Sequence, residues 1–214
     1  MELGRVALDK VWYAAFGSNM HYDRFRCYLL GGRPPGGRRA YPGCRDRREP
    51  ERWEPVMLPG VLYFATESQV WTGGRAFYDP DGPGRTAARA YLIGASQFSD
   101  LAAQEMYREP GRDLDLGEAV TRSRARVGPG RYETVVCPGE LAGHPLLTLT
   151  APWGHRDVPG NPPSAPYLRH LGRGLMESHG WDAGRTAAYL ASRPGVDGHW
   201  TPEAVAELLT ELPP

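Results

Sequence analysis

The chain of 214 residues has little cysteine, almost no lysine and no excess of charge of either sign. Its three cysteines stand at irregular spacings without a C-x-x-C pair, so neither a zinc ribbon nor a dithiol redox pair is supported. Basic and acidic residues balance at 25 each. This balance argues against a dedicated nucleic-acid-binding protein, because such a protein needs a basic surface to release counterions.

Long hydrophobic runs are also missing. No stretch of about 18 apolar residues occurs, which predicts that no segment spans a membrane. The N-terminal segment MELGRVALDK lacks the apolar region of a signal peptide, and the odd number of cysteines fits a reducing compartment. We therefore expect a cytoplasmic protein, either a monomer or a homodimer.

The composition is that of a folded, loop-rich protein. Apolar residues make up 41% and aromatic residues 10% of the chain, which is enough for a sizeable core. The length fits a single domain over residues 1–214. Residues 31–55 are rich in Gly, Pro and Arg and read as a long irregular loop, and a helical C-terminal part begins at about residue 164.

Runs of β-branched and aromatic residues alternate with turn residues in the first two thirds of the chain. The predicted strands are Val11–Phe16, Val56–Thr66, Arg75–Tyr78, Ala88–Ile93, Tyr132–Cys137 and Leu146–Thr150. The predicted helices are Met20–Leu30, Ser99–Tyr107 with Ser99 as a cap, one from Ser164 to Gly180, Ala183–Ser192 and Pro202–Leu209. Strands mostly precede helices, which indicates an α+β fold with a sheet rolled toward a barrel.

The most informative stretch is Val11–Met20, where an apolar strand stops at Gly17 and a helical pattern begins. Glycine permits a tight turn, and the N–H groups of the first helical turn have no partners within the helix. Such a turn suits a carboxylate or a developing oxyanion. The alternative is an ordinary strand–turn–helix in which Asn19 caps the helix.

Five segments, in order, resemble the γ-glutamylcyclotransferases of the AIG2-like superfamily. The sequence Tyr-Ala-Ala-Phe-Gly-Ser-Asn at 13–19 resembles the Y-F-A-Y-G-S-N loop of that family. The other matching segments are Trp71–Ala76, Phe98–Glu105, Pro163–Tyr167 and Glu177–Gly180. The spacing agrees from about residue 11 to residue 192, so the resemblance covers most of the chain.

The resemblance implies a small mixed β-barrel with flanking helices and one central acid, which falls on Glu105. That acid serves as general base and general acid when a γ-glutamyl amine is converted to 5-oxoproline and a free amine or amino acid, without cofactor or metal. The small-molecule γ-glutamyl substrate would be the partner. The substrate-binding residues implied by the motifs are Tyr13, Ala14, Ala15, Phe16, Gly17, Ser18, Asn19, Gly73, Gly74 and Tyr167. Gly73 and Gly74 would let their strand approach the substrate closely.

Several alternatives stay open. A lone Glu on a helix is usually a solvated surface charge, and Glu109, one turn on, competes with Glu105. The sequence departs from the family at three places: Ala14 replaces an aromatic residue, Phe16 replaces a Tyr and lacks its hydroxyl, and Met106-Tyr107 replaces the usual Gly. An amide hydrolase or acyltransferase on the same scaffold, or a non-catalytic binding module, would carry the same motifs.

Other motifs do not carry chemistry. The six histidines lack metal-ligand spacing, and Asp79–Gly82 lacks the ligands that complete a calcium loop. No Walker lysine and no G-x-S-x-G elbow occur.

The basic loop at 31–55 gives one further hypothesis: Arg38, Arg39 and Arg45 select an anionic leaving group, unless acids within the loop neutralise its arginines.

Overall fold

The computed structural model of the protein describes residues 8–34 and 39–210. The chain divides into two compact units, each assembled from three separate segments. The first unit holds the described residues of Met1–Ala14, Asp23–Glu54 and Ala90–Pro152. The second unit holds those of Ala15–Tyr22, Pro55–Arg89 and Trp153–Pro214. The single-domain organisation over 1–214 stays a prediction.

The described part contains eight strands and six α-helices. The strands are β1 (Lys10–Ala15), β2 (Arg52–Pro59), β3 (Val61–Ala65), β4 (Arg75–Asp79), β5 (Arg85–Gly94), β6 (Arg124–Arg126), β7 (Thr134–Leu141) and β8 (His144–Thr150). The helices are α1 (Tyr22–Leu30), α2 (Ala95–Glu105), α3 (Gly117–Arg122), α4 (Ala165–His179), α5 (Ala183–Ala191) and α6 (Pro202–Thr210). The α+β class is confirmed.

The strand predicted at 56–66 is two strands, because the chain turns at Gly60. Gly60 has φ of 103°, and a Cβ there would lie 2.4 Å from the Asp79 carbonyl oxygen. Only glycine fits this position. The sequence reading missed β6 and α3, which are too short for a periodic pattern to reveal.

The main sheet is mixed and has the order β2-β5-β1-β8-β7-β6, while β3 and β4 form a separate antiparallel pair. β1 runs parallel to β8, with Trp12 opposite Leu146, and β7 runs antiparallel to both β8 and β6. Within the described residues the sheet has two free ends, β2 and β6. The expected barrel is therefore not closed, and this part of the prediction is wrong.

Aromatic side chains fill the core of the first unit. The rings of Phe25 and Tyr91 stack with centroids 3.9 Å apart, and Tyr13 lies 5.7 Å from Phe25 and 6.1 Å from Phe98. Phe25 comes from α1, Phe98 from α2, and the two tyrosines from β5 and β1. This cluster fixes the two helices against the strands that precede the candidate site residues.

The second unit is mainly helical at its C-terminal end. α4 begins after Ser164 with Pro166 in its first turn and ends at Gly180, whose φ is 64°, as the sequence predicts. Leu209 of α6 fills the space beside Gly172 of α4, where a Cβ would lie 2.2 Å from the leucine side chain. Among residues 8–34 and 39–210, no helix is both long and apolar enough to cross a bilayer.

Candidate functional site

The turn that follows β1 lies in the second unit and is tighter than predicted. Ser18–Met20 forms a 3₁₀ turn in which the Met20 N–H donates to the Gly17 carbonyl at 3.0 Å, and α1 begins only at Tyr22. Asn19 lies inside this turn, 3% exposed, so it does not cap α1. The turn nevertheless places Gly17 and Ser18 at the end of a buried strand, as the motif requires.

A histidine from α4 holds this turn in place. The Ser18 carbonyl accepts hydrogen bonds from the His21 N–H at 3.3 Å and from Nε2 of His170 at 3.0 Å. The second bond requires the proton of His170 to be on Nε2. The sequence did not indicate a role for His170, because its hydrogen-bond partner lies 152 positions away in the chain.

Tyr167 lies against the same turn. It is 5% exposed, its ring stacks on Trp71 at 5.4 Å with a 16° interplanar angle, and its hydroxyl would lie 3.7 Å from a Cβ at position 17. The structure thus brings together Gly17, Ser18 and Tyr167 of the predicted set. Trp71 and His170 join them, and we call these five residues the turn cluster.

Gly73 and Gly74 lie against protein backbone. A Cβ at Gly73 would lie 2.5 Å from the Pro162 carbonyl oxygen, and one at Gly74 would lie 1.9 Å from the Asn161 carbonyl oxygen. The Gly74 N–H donates to the Pro162 carbonyl at 2.8 Å. The space that these glycines open is therefore filled by residues 161–163, which lead into α4, and not by a substrate.

The four predicted residues before the turn are core residues. Tyr13 and Ala14 lie in the first unit, 6% and 0% exposed, and the Ala14 carbonyl accepts a hydrogen bond from Thr148 at 2.7 Å. Ala15 and Phe16 lie in the second unit, 1% and 5% exposed. Their side chains stabilise the strand that ends at Gly17.

Glu105 lies in the first unit as the last residue of α2, and its side chain is half-buried. α2 begins at Ala95, one turn before the predicted Ser99, because Gln97 bonds back to the Gly94 N–H at 2.9 Å. Ser99 is not a cap: its hydroxyl donates to the Ala95 carbonyl within the helix.

The C-terminal end of α2 is a Schellman motif. The Tyr107 N–H donates to the Gln104 carbonyl at 3.0 Å and the Arg108 N–H to the Ala103 carbonyl at 2.9 Å. Glu105 is therefore on the last turn of a capped helix, where its position is fixed. Glu109, the competing carboxylate, lies beyond the helix and is exposed.

The charge of Glu105 acts on Tyr28, which is hydrogen-bonded to Tyr41 and through it to Arg24. Burial, followed by the Glu105 carboxylate, holds the pKa of Tyr28 well above its ordinary value of 10.0. The Tyr28 hydroxyl donates to the Tyr41 hydroxyl at 3.4 Å, which also accepts from Nη2 of Arg24 at 2.8 Å. Arg24 itself is 7% exposed. The sequence reading missed all three partners, which come from α1 and from the 31–55 loop.

The buried side of α2 carries three polar residues that bind the 31–55 loop. Gln97 donates to the carbonyls of Asp46 and Arg48, Asp100 accepts from the N–H of residue 45, and Gln104 accepts from the N–H of residue 43. Gln104 also donates to the Tyr28 carbonyl at 3.0 Å. We call Gln97, Asp100 and Gln104 the polar seam. It fixes the loop against the helix that ends in Glu105.

Three of the six described arginines of this loop pair with acids, and in two of these pairs the acid belongs to the loop itself, as in the alternative. Arg45 binds Asp100 and Asp113, Arg48 binds Asp46, and Arg52 lies 3.5 Å from Glu54. Arg38, part of the selection hypothesis, lies outside the described residues. Arg39 is different, because its guanidinium lies over the rings of Tyr41 and Tyr107.

A cavity of about 840 Å³ lies in the first unit beside the C-terminal half of α2. Its lining includes Ala102, Arg108, Glu109, Glu118 and Glu133. Glu133 is 4% exposed and already occupied, since it accepts from Arg108 and from the Gly130 N–H at 2.6 Å. Across residues 8–34 and 39–210, no group of three or more His, Cys, Asp or Glu side chains is arranged to hold a metal ion.

Comparison with solved structures identifies this arrangement of elements. A protein described as gamma-glutamyl cyclotransferase superimposes with a TM-score of 0.51 at 16% identity, over 94% of this chain and 98% of the other. The uncharacterized human protein loc79017 superimposes with a TM-score of 0.51 at 17% identity, over 95% and 99% of the two chains. The chain has the γ-glutamylcyclotransferase fold.

Sequence comparison also finds a relative of this chain. Histone deacetylase 5 of Arabidopsis thaliana is 32% identical over 205 residues, which is 86% of this chain and 31% of that protein. The chain thus spans about a third of the length of this relative. No family model matches the chain.

Proposed function

We propose that the protein is a cofactor-independent γ-glutamylcyclotransferase that releases 5-oxoproline and an amine or amino acid. The observation that carries the proposal is the position of Glu105. It closes a capped helix in a chain whose fold matches a γ-glutamyl cyclotransferase over 94% of its length. A carboxylate on this helix end can act first as general base and then as general acid.

The reaction needs one group that both takes and gives a proton. Glu105 accepts a proton from the α-ammonium of the γ-glutamyl group, and the freed amine attacks the γ-carbonyl carbon to form the lactam C–N bond. The carbonyl oxygen carries the negative charge of the intermediate. Glu105 then returns the proton to the leaving nitrogen as the original amide bond breaks, and the ring nitrogen loses its second proton to the released amine, which gives 5-oxoproline and an ammonium group.

The attack is intramolecular, so the protein contributes mainly by holding the substrate folded. Well-oriented intramolecular reactions gain roughly 7–11 kcal/mol of barrier lowering. Within the second unit, Tyr167 and His170 fix the conformation of the turn at Gly17 and Ser18, since they contact Gly17 and the Ser18 carbonyl.

The test is the substitution Glu105→Gln, which keeps the size of the side chain and removes its proton transfer. We expect 5-oxoproline release from a γ-glutamyl amino acid to fall by about 10²–10⁴-fold, the usual contribution of a general acid–base group. Substrate binding, measured by calorimetry, should be retained. The matched control is Glu109→Gln, since Glu109 is an exposed carboxylate four residues away.

Release of 5-oxoproline at the wild-type rate by Glu105→Gln, with loss of activity in Glu109→Gln, would transfer the role to Glu109. Release of 5-oxoproline at the wild-type rate by both variants would mean that neither carboxylate moves the proton. The absence of any 5-oxoproline from the wild-type protein, despite binding of γ-glutamyl compounds, would favour the non-catalytic binding module.

Amide hydrolysis is the second candidate, because a carboxylate that can take a proton from an amine can also take one from a water molecule. In that reaction a water molecule replaces the substrate amine as nucleophile, with Glu105 as its general base. The same assay separates the two, since hydrolysis of a γ-glutamyl amide releases free glutamate and cyclisation releases 5-oxoproline.

A further inference from the structure

Glu133 is a buried carboxylate that lies directly before β7 in the first unit. Its residue is 4% exposed. The two carboxylate oxygens accept hydrogen bonds from Nη1 and Nη2 of Arg108, the second at 3.1 Å. Oε2 also accepts from the Gly130 N–H at 2.6 Å. A carboxylate at such depth needs these donors, because its removal from water without them is unfavourable.

Two glycines make room for this carboxylate. A Cβ at Gly128 would lie 2.6 Å from Oε2 of Glu133, and one at Gly130 would lie 2.5 Å from the same atom and 2.9 Å from the sulfur of Met106. Neither glycine has φ in the left-handed region, so the backbone conformation does not require glycine at these positions. The close approach of Glu133 and Met106 does require it.

The same contacts reach the end of α2 at two points. Met106 directly follows Glu105 and packs against Gly130. Arg108 follows three residues after Glu105, and its N–H donates to the Ala103 carbonyl at 2.9 Å. Arg108 therefore closes the helix with its backbone while its guanidinium is bound to Glu133. The segment from 128 to 133 thus holds the chain on the C-terminal side of Glu105.

A second arginine–glutamate pair in the first unit differs in burial. Arg122 lies 3.3 Å from Glu118 within α3, and the two side chains are 74% and 57% exposed. Exposed pairs of this kind contribute little to stability. A buried pair is often no more stable than apolar residues of the same volume, but it restricts the chain to one geometry. The main effect expected of the Arg108–Glu133 pair is therefore a defined geometry at the end of α2.

We propose that Glu133 is a positioning residue for Glu105, which it holds in place through Arg108 and the C-terminal turn of α2. This inference rests on the proposed function, in which Glu105 takes a proton from one nitrogen and returns it to another. Both transfers require the carboxylate to stay within hydrogen-bond distance of the reacting nitrogens. A displacement of about 1 Å can cost about 100-fold in rate. The two parallel hydrogen bonds fix the position and the orientation of the guanidinium together.

The test is Glu133→Gln, which keeps the size of the side chain and replaces one acceptor oxygen by an amide donor. We expect kcat for 5-oxoproline release to fall by about 10- to 100-fold with KM nearly unchanged, because the substrate still binds and only the position of Glu105 is disturbed. Arg108→Gln should have the same effect, and Arg108→Lys, which keeps one charged hydrogen bond, should recover part of kcat. The matched control Glu118→Gln removes the exposed pair and should keep the wild-type kcat.

Hydrogen exchange separates this inference from the proposed function, because it needs no turnover. In Glu133→Gln we expect the amides of Tyr107 and Arg108, which close α2, to exchange at least about 10-fold faster than in the wild-type protein and in Glu118→Gln. This result in a wild-type protein that releases no 5-oxoproline would contradict the proposed function alone.

Three results would overturn the inference. They are a wild-type kcat in a folded Glu133→Gln protein, an equal loss of kcat in Glu118→Gln, and wild-type amide exchange of Tyr107 and Arg108 in Glu133→Gln. If Glu133→Gln does not fold, Arg108→Gln gives the same comparison, because the side chain of Arg108 is 54% exposed and its replacement disturbs the core less.

Discussion

At the scale of single residues, Tyr107 shows how a local cost can be offset by neighbours. Its left-handed backbone is unfavourable for any residue with a side chain, whereas Gly at the same place is not strained. The ring gains two cation–π contacts, with Arg39 and Arg131, each worth about 0.5–1 kcal/mol at exposed sites. The free-energy cost of the backbone strain and the gain from the cation–π contacts are therefore of similar size. Mutations can measure each of them separately.

Tyr107→Gly should stabilise the protein more when the two arginines are absent. In the Arg39→Gln/Arg131→Gln background we expect the free energy of unfolding to rise by about 1 kcal/mol, because the strain is relieved and no ring contact is lost. In the wild-type background the gain should be smaller. Urea denaturation of the four proteins gives the coupling between ring and arginines as a double-mutant cycle.

Tyr107→Ala is the control for the cycle, since alanine keeps the strain and removes the ring. In each background, the free energy of unfolding of Tyr107→Ala should not exceed that of the protein that keeps Tyr107. Equal effects of Tyr107→Gly in both backgrounds would show that the arginines do not stabilise the ring.

At the scale of elements, the main feature of α2 is the polar seam on its buried side, which binds the 31–55 loop. A helix side that carries Gln97, Asp100 and Gln104 is unusual in a core, because each buried polar group must find a partner. Each of the three has a partner in the 31–55 loop, and Gln104 also donates to the Tyr28 carbonyl in α1. This explains why a segment rich in Gly, Pro and Arg follows a defined path along the helix that ends in Glu105.

Replacement of Arg45 should act on stability, contrary to the hypothesis that Arg45 selects substrate. Asp100 is 0% exposed and accepts from Nε of Arg45 at 2.9 Å. Arg45→Ala leaves this carboxylate buried with fewer donors, which costs about 2 kcal/mol, less than a fully buried pair because the guanidinium is partly exposed. Urea denaturation measures the loss. The control Arg48→Ala should leave the midpoint unchanged, and an equal loss in both variants would contradict the role of Asp100.

The end of α4 predicts a pH dependence of stability. Burial lowers the pKa of His179 below its ordinary value of 6.5, although Nε2 donates to the Ala88 carbonyl at 3.1 Å. The folded protein therefore keeps His179 neutral at pH values where the unfolded chain binds a proton. Because the unfolded state binds more protons in that window, the free energy of unfolding falls as the pH drops below about 6.5.

Urea denaturation between about pH 7 and pH 5 measures this slope. In His179→Gln the slope should be smaller, since the amide donates to Ala88 without titrating. The exposed His199 offers the matched variant His199→Gln, which should keep the wild-type slope. A wild-type slope in His179→Gln would mean that another group titrates.

At the scale of the whole molecule, the proposal needs no metal. The three cysteines are free, and the described residues hold no cluster of potential ligands. We expect treatment with a chelator to leave both 5-oxoproline release and the thermal unfolding temperature unchanged. A loss of activity or of thermal stability that zinc restores would mean that the protein binds a metal, with its histidines as candidate ligands.

The sequence by itself determined the features that depend on local backbone chemistry. Gly17 follows the end of β1, and Ser164 and Gly180 bound α4, because turn and cap preferences act over a few residues. The fold was expected from the resemblance of five segments, in order, to a known family. Glu105 as the candidate acid followed from the same motifs and stays a prediction.

Only the tertiary structure decided which groups meet across long separations. Asp100 binds the N–H of a residue 55 positions away, His170 binds Ser18 across 152 positions, and the chain from 161 to 163 fills the space beside Gly73 and Gly74. No local pattern records such partners. They arise because a buried polar or backbone group must form a hydrogen bond with whatever group the fold places beside it.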